Sequence, residues 1–403
     1  MVLSSDALPS PEKQLLVCCA RPRIDAAAGD QIRQLLNSPV DWERLFLEAA
    51  NHSVTPLVCR QLCLVASDQL DSARLERLRE AGRGFALRNL LLSAELVRIL
   101  NLFQSEGLQA IPYKGPVLAI EAYGDVALRE FEDLDLIVRH RAIAKADEVM
   151  IGLGYSPKFP GLVSANTRVL APGEYVYRHE SRRMMVELHT ERTLRHFPRP
   201  ADTDDLSTRL VAVPVGGHEV RTFSPEDTFL LLSIHGSKHF WEELAWVADL
   251  AWFLHAYPDL DWDQVFRRAQ AVRAHRMVTI SLALALWLSS SPPEELLAYV
   301  RSDLLANSIA RTIEHRLLAR SPRNLGAMAR FHLRRHMLEG SLEGWRYSLR
   351  LATQPSDDDW SAMPLPPPLV PLYAALRPLR LLRKYGVSGA PRLVDRLPAK
   401  RIE

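Results

Sequence analysis

The chain has 403 residues, 47% of them hydrophobic and 24% charged, with a formal net charge of +2. That length exceeds one small core, so two or three domains are expected. The composition carries no sign of global disorder, and with the near-neutral charge nothing about the whole chain demands nucleic acid.

The N-terminal stretch MVLSSDALPSPEK has no basic region followed by an apolar core, which argues against a signal peptide. Cys18, Cys19, Cys59 and Cys63 are the four cysteines, and no downstream Cys-x-x-Cys or His pair completes a zinc pattern. Reduced, mostly buried thiols are expected, as in a cytoplasmic protein. Residues 12 to about 106 predict helices. Trp42, Leu45, Phe46, Ala49 and Ala50 keep the helical period, as do Leu87, Leu90, Leu91, Ala94, Leu96 and Leu100. The second of these helices runs from about Ala81 to Ser105, with Gly107 as its terminating residue.

The period then changes. Short segments around 109–113, 133–138, 174–179 and 183–189 alternate or carry β-branched and aromatic residues, and the last two form a hairpin across His179 to Arg182. Ala142 to Leu153 reads as a helix between them. In the segment at 133–138, Asp133 and Asp135 alternate with Leu134, Leu136 and Val138. Side chains at i and i+2 share a face of a strand, so the apolar residues enter the core while both aspartates project into one site. Two close carboxylates repel unless a cation lies between them. A hard divalent ion such as Mg2+ or Mn2+ suits them, with nucleotide phosphates completing its shell. The alternative is that Asp133 caps a turn and Asp135 lies on an edge. Upstream, Lys114-Gly115 forms a glycine turn. Downstream, Val186 and Leu188 alternate with Glu187 and His189, adding a third carboxylate. His189 either orients Glu187 or is a satisfied core histidine.

Ser224-Pro225-Glu226-Asp227 is a helix start, and from there to about 350 the chain is helical. His235, His239, Glu242, Trp246 and Asp249 recur at helical spacing, drawing a polar stripe on an otherwise apolar helix. Such a stripe faces a cleft or a buried network, or is solvated. As zinc ligands His235 and His239 lack the glutamate of His-Glu-x-x-His. The longest apolar run, Met277 to Leu288, is too short to span a bilayer and reads as a buried helix. Residues 354–371, rich in proline and holding Asp357, Asp358 and Asp359, predict an extended strap, followed by a helix from about Pro371 to Tyr385. Arg330, Arg334, Arg335 and His336, with Arg377, Arg380, Arg383 and Lys384, could meet an acidic acceptor, RNA or lipid headgroups. The alternative is solvated helix faces or pairing with Asp357 to Asp359.

Taken together, Asn89…Glu95-Leu96, Tyr113-Lys114-Gly115, Arg129…Asp133-Leu134-Asp135-Leu136-Ile137-Val138, Val186-Glu187-Leu188-His189, His235-Gly236-Ser237-Lys238-His239, Trp246…Asp249-Leu250 and Tyr373…Leu376-Arg377-Pro378-Leu379-Arg380-Leu381 carry a resemblance. The chain resembles a bacterial family of uncharacterised nucleotidyltransferases within the DNA polymerase β-like superfamily. The resemblance implies an α/β and all-α architecture: an N-terminal helical domain at 1–106, a small mixed-sheet nucleotidyltransferase core at 107–222, a helical domain at 223–350 closing the nucleotide cleft, and the strap with a basic helix at 351–403. It further implies that Asp133, Asp135 and Glu187 hold two divalent ions, about 4 Å apart, and that a nucleoside monophosphate passes from a nucleoside triphosphate to an acceptor. Lys114, Gly115 and Arg129 then approach the phosphates. Lys238, with His235 and His239 beside it, clamps them from the helical domain. One departure is that Pro116 follows Gly115, where the superfamily has glycine or serine. A small-molecule or peptide hydroxyl is the expected acceptor, with nucleic acid disfavoured by the net charge. The alternatives are a toxin-like transferase acting on tRNA and a nucleotide-binding protein with little turnover.

Overall fold

A computed structural model of the protein describes residues 9–159, 174–190, 203–319, 325–353 and 372–385, with 359, 362, 363, 365 and 369 between the last two segments. Most of the expected proline strap lies outside the described residues.

The first four helices are α1 (Pro11–Cys19), α2 (Ala26–Leu36), α3 (Trp42–Asn51) and α4 (Thr55–Val65). The side chains of Ser10, Asp25 and Asp41 accept the backbone N–H three residues on, capping α1, α2 and α3. Helix α5 (Ser72–Ser105) starts earlier than the expected Ala81, because Asp71 caps it through the Arg74 N–H. It ends where expected. Gly107 adopts φ +71°, and the N–H groups of Gly107 and Leu108 reach back to the carbonyls of Gln104 and Phe103.

The central sheet contains β1 (Ala110–Pro112), β2 (Asp133–Val138), β3 (Ser156–Pro157), β4 (Glu174–His179) and β5 (Met184–His189), in the order β1-β2-β5-β4-β3. The pair β2–β5 is parallel and the other pairs are antiparallel. Helix α6 (Gly115–Tyr123), not foreseen from the sequence, follows β1 directly. It is apolar nearly all round, which hides a helical period. Helix α7 (Ile143–Gly152) follows β2.

Beyond the sheet come a short helix α8 (Thr203–Ser207) and a second hairpin, β6 (Val211–Val215) with β7 (His218–Thr222). Gly216 and Gly217 turn it, both at positive φ, as a two-residue hairpin requires. The chain then runs through α9 (Pro225–Lys238), α10 (Leu244–Ala256), α11 (Trp262–Ala271), α12 (His275–Leu288), α13 (Glu294–Ser302), α14 (Leu304–Leu318), α15 (Ala327–Met337), α16 (Ser341–Thr353) and α17 (Tyr373–Tyr385). Ser224 caps α9 through the Asp227 N–H, with Pro225 in the first turn. No helix among the described residues is long and apolar enough to cross a membrane.

Two cores stabilise this arrangement. One lies between the sheet, α5 and α7, where Leu134, Leu136, Val138, Val186 and Leu188 meet Leu96, Phe103 and Met150. The other joins α1–α4 to α9–α14, so that Leu16, Ile32 and Leu62 share a cluster with Phe229, Phe253, Leu282 and Ile313. Segments at opposite ends of the chain are thus held by one body of apolar burial. All four cysteines are free, and three are buried.

Candidate active site

The alternation in β2 sends its leucines into one core and leaves Asp133 and Asp135 on the opposite face. There they line a cavity of about 530 Å³. The parallel register sets Asp133 beside Met185 and Asp135 beside Glu187. Side chains at matched positions of paired strands point the same way, so Glu187 and His189 also line the cavity. His189 Nε2 lies 2.7 Å from Asp135 Oδ1 and 3.5 Å from Glu187 Oε2. Lys114 Nζ stands 3.5 Å from Asp135 Oδ2.

Burial and the Asp135 charge push Asp133 up to about 6. Burial, then the charges of Asp135 and Glu174, push Glu187 up to about 7. Burial acts on Asp135 in the same direction, but Lys114 and the His189 hydrogen bond outweigh it and hold this carboxyl well below the usual range. Asp135 therefore stays ionised while its two acidic neighbours resist ionisation, the expected behaviour of crowded carboxylates. Ligand atoms of Asp135, Glu187 and His189 lie within 4.8 Å of one another. Oxygen donors dominate the cluster once Asp133 is included, and a small hard cation would relieve the unbalanced charge, so the residues fit Mg2+ or Mn2+.

Two features fix the glycine turn. Gly115 adopts φ +53°, and a Cβ there would come within 3.3 Å of the Asp133 carbonyl oxygen. Glycine both permits that backbone and lets α6 approach the start of β2. Pro116 falls in the first turn of α6, where a missing N–H costs no intrahelical bond. The departure at this position has a structural reason in the helix start.

Arg129 lines the cavity, but its fork is engaged. Its Nε and Nη2 each donate to Asp249 at 2.9 Å, and Tyr123 Oη donates to the same carboxylate at 2.8 Å. Asn89, fully buried on α5, holds the preceding loop by donating to the carbonyls of Val126 and Arg129 at 2.5 and 2.8 Å. Glu95 lies in a separate cluster, accepting from Arg98, Arg182 and Tyr155.

The polar stripe from His235 to Asp249 does not lie on one helix. α9 stops at Lys238 and α10 begins at Leu244, with Phe240 and Trp241 between them in the left-handed region at φ 57° and 45°. At the break Trp241 folds back onto Gly236, where an added Cβ would lie 2.3 Å from the indole Nε1. No proline or glycine signals this turn. The two helices still bring His235, Lys238, His239 and Trp246 to the cavity wall. Ring centroids of His235 and His239 are 4.8 Å apart, and those of His239 and Trp246 are 4.9 Å apart. Burial, then nearby cations, hold both imidazoles neutral, His239 down to about 3. Glu243, Ser53 and Glu174 complete a wall that sequence reasoning missed, because they come from three distant segments.

The basic helices are tied to acidic neighbours. Arg330 donates to Glu242 at 2.8 Å, Arg377 to Asp359, and Arg380 to Asp359 at 2.6 Å.

Comparison with curated proteins and with solved structures returns no match for this chain. A family model described as uncharacterised nucleotidyltransferase matches residues 38–289, which take in α3 to α12 and every residue of the acidic cluster. The chain belongs to this family of uncharacterised nucleotidyltransferases.

Proposed function

We propose that the protein is a metal-dependent nucleotidyltransferase that moves a nucleoside monophosphate from a nucleoside triphosphate to a hydroxyl of a small-molecule or peptide acceptor. The observation that carries this reading is the convergence of Asp133, Asp135 and Glu187 on one cavity that Lys238 also lines. Asp133, Asp135 and Glu187 would hold divalent ions, which supply charge neutralisation at the α-phosphate and the leaving pyrophosphate. Lys114 and Lys238 neutralise the triphosphate. Arg129, locked to Asp249, holds the wall formed by the loop before β2 and α10 rather than lying open to phosphate. In the transfer, the acceptor oxygen bonds to the α-phosphorus as the bond to the bridging oxygen breaks, and pyrophosphate departs. Glu187 would either help hold the ion that activates the acceptor hydroxyl or take the proton of that hydroxyl itself. The engagement of Arg330, Arg377 and Arg380 with Glu242 and Asp359 supports an acceptor other than nucleic acid.

The test is transfer of α-labelled nucleoside triphosphates in Mg2+ or Mn2+ to protein, RNA and small-molecule fractions of cell extract. Label in the protein or small-molecule fraction that is lost in Asp135→Asn supports the reading. Absence of metal-dependent transfer to every fraction sinks it.

A further inference from the structure

The ligand atoms that the fold gathers within 4.8 Å of one another belong to Asp135, Glu187 and His189, so a ring nitrogen stands with two carboxylates. The strands dictate this. Asp135 of β2 lies opposite Glu187 of β5, and His189 is two residues further along β5 on the same face. The imidazole is 4% exposed, and Tyr113 packs edge-on against it at 5.7 Å. Its Nε2 points into the cluster, 2.7 Å from Asp135 Oδ1 and 3.5 Å from Glu187 Oε2. Its Nδ1 has no hydrogen-bond partner among the described residues, so the polar contacts of the ring are all on the cluster side. A neutral imidazole carries a single N–H. On Nε2 that proton serves Asp135 and leaves none for Glu187; on Nδ1 it leaves a bare lone pair facing both carboxylates. A divalent ion among the three atoms would satisfy all of them, with the nitrogen as ligand. Neighbouring ligands around an octahedral ion with bonds of about 2.1 Å lie about 3 Å apart. The two separations seen here fall on either side of that spacing.

We propose that His189 Nε2 is a ligand of the ion held by Asp135 and Glu187, and that this nitrogen makes the position select a transition-series divalent ion such as Mn2+ over Mg2+. The inference rests on the metal-dependent reading of the cleft. Mg2+ is a hard ion that takes oxygen ligands and gives up its waters reluctantly. Imidazole nitrogen suits the transition-series ions, whose affinity for a mixed nitrogen and oxygen site rises along the series from Mn2+. Three carboxylates alone would carry no such preference for nitrogen-binding ions.

Electron spin-echo spectroscopy of Mn2+ bound to the full chain, without nucleotide, tests this, because a directly bonded imidazole imprints nitrogen modulation on the echo. The expected result is nitrogen modulation in the wild-type chain, kept in His235→Gln/His239→Gln and lost in His189→Gln. In competition titrations, His189→Gln should narrow the preference for Mn2+ over Mg2+ by about tenfold or more, the scale on which altered metal-site residues act. Bound Mn2+ without nitrogen modulation in the wild-type chain overturns the proposal. Modulation that survives in His189→Gln, or vanishes in the His235/His239 double variant while Mn2+ still binds, overturns it equally. An unchanged preference between the two ions in His189→Gln overturns the selectivity. Failure of both ions to bind, with tripolyphosphate or without it, removes the metal-dependent reading and this inference with it.

Discussion

Asp135 of β2 and Glu187 of β5 are partners across a parallel strand pair, and His189 Nε2 reaches both, at 2.7 and 3.5 Å. Two carboxylates from segments far apart in the chain are thereby forced into one buried wall. Lys114 and His189 also favour the ionised form of their neighbour Asp133, but there burial and the Asp135 charge outweigh them.

That asymmetry separates the two aspartates experimentally. Asp133 is raised to about 6, so its folded-state contribution is favourable at low pH and is lost as pH rises through that value. Asp135 is lowered, so its contribution exists above the ordinary carboxylate range and is lost as pH falls. In metal-free protein at pH 7, Asp133→Asn should raise stability by on the order of 1 to 3 kcal/mol, at roughly 1.4 kcal/mol per pKa unit. Asp135→Asn should lower it. Urea denaturation in chelator gives both signs. Each variant should also lose metal-dependent transfer.

Lys238 reports on the clamp. If α9 contacts the triphosphate, Lys238→Ala should weaken nucleotide binding by roughly 1.5–3 kcal/mol, the range for hydrogen bonds to charged groups. Full-strength binding in the variant would make the clamp untenable.

Glu121 gives a pH signature remote from the acidic cluster. It is buried between α6 and α10, with one oxygen near Tyr257 Oη at 3.3 Å and the other without a partner. Burial pushes its carboxyl up to about 8, well above the usual carboxylate range. The fold therefore prefers the neutral acid, and stability should decline as pH rises from about 4.5 to about 8. Glu121→Gln should remove that decline, so the stability difference between variant and wild type grows with pH. A difference that stays flat over this range contradicts the assignment.

Gly236 is the position where α9 makes room for Trp241. Gly236→Ala forces the indole from its site and should cost about 1–3 kcal/mol, the usual penalty of overpacking. Thermal unfolding measures the loss. A neutral effect would mean that the α9–α10 turn does not depend on this contact.

Binding to nucleic acid should be weak. Affinity that neutralises several phosphates falls with salt by about 0.9 log unit per log unit for each phosphate of duplex DNA. With Arg330, Arg377 and Arg380 already paired, the intact protein should show little salt-sensitive binding to purified tRNA and no metal-dependent labelling of it. Strong labelling that disappears in Asp133→Asn would promote a tRNA acceptor to first place.

Much of the site was legible in the sequence because it rests on local periodicity. Alternation alone places Asp133 with Asp135, and Glu187 with His189, on one face of their strands. Ser224-Pro225 and Gly107 mark helix ends through short-range capping, and the structure places those ends there. The Gly-Gly turn of β6–β7 was equally local and went unread. Tertiary structure alone decided the rest. The parallel register pairing Asp135 with Glu187, the capture of Arg129 by Asp249, and the contribution of Ser53 and Glu243 to the cavity all depend on segments distant in sequence. The break between α9 and α10 is the clearest case. The helical spacing of polar residues continues unbroken through it, while in the structure α9 ends at Lys238 and Trp241 packs back against Gly236. Periodicity records which face a residue shares with its neighbours in the chain, whereas partner choice is set by long-range packing and charge, which local spacing does not encode.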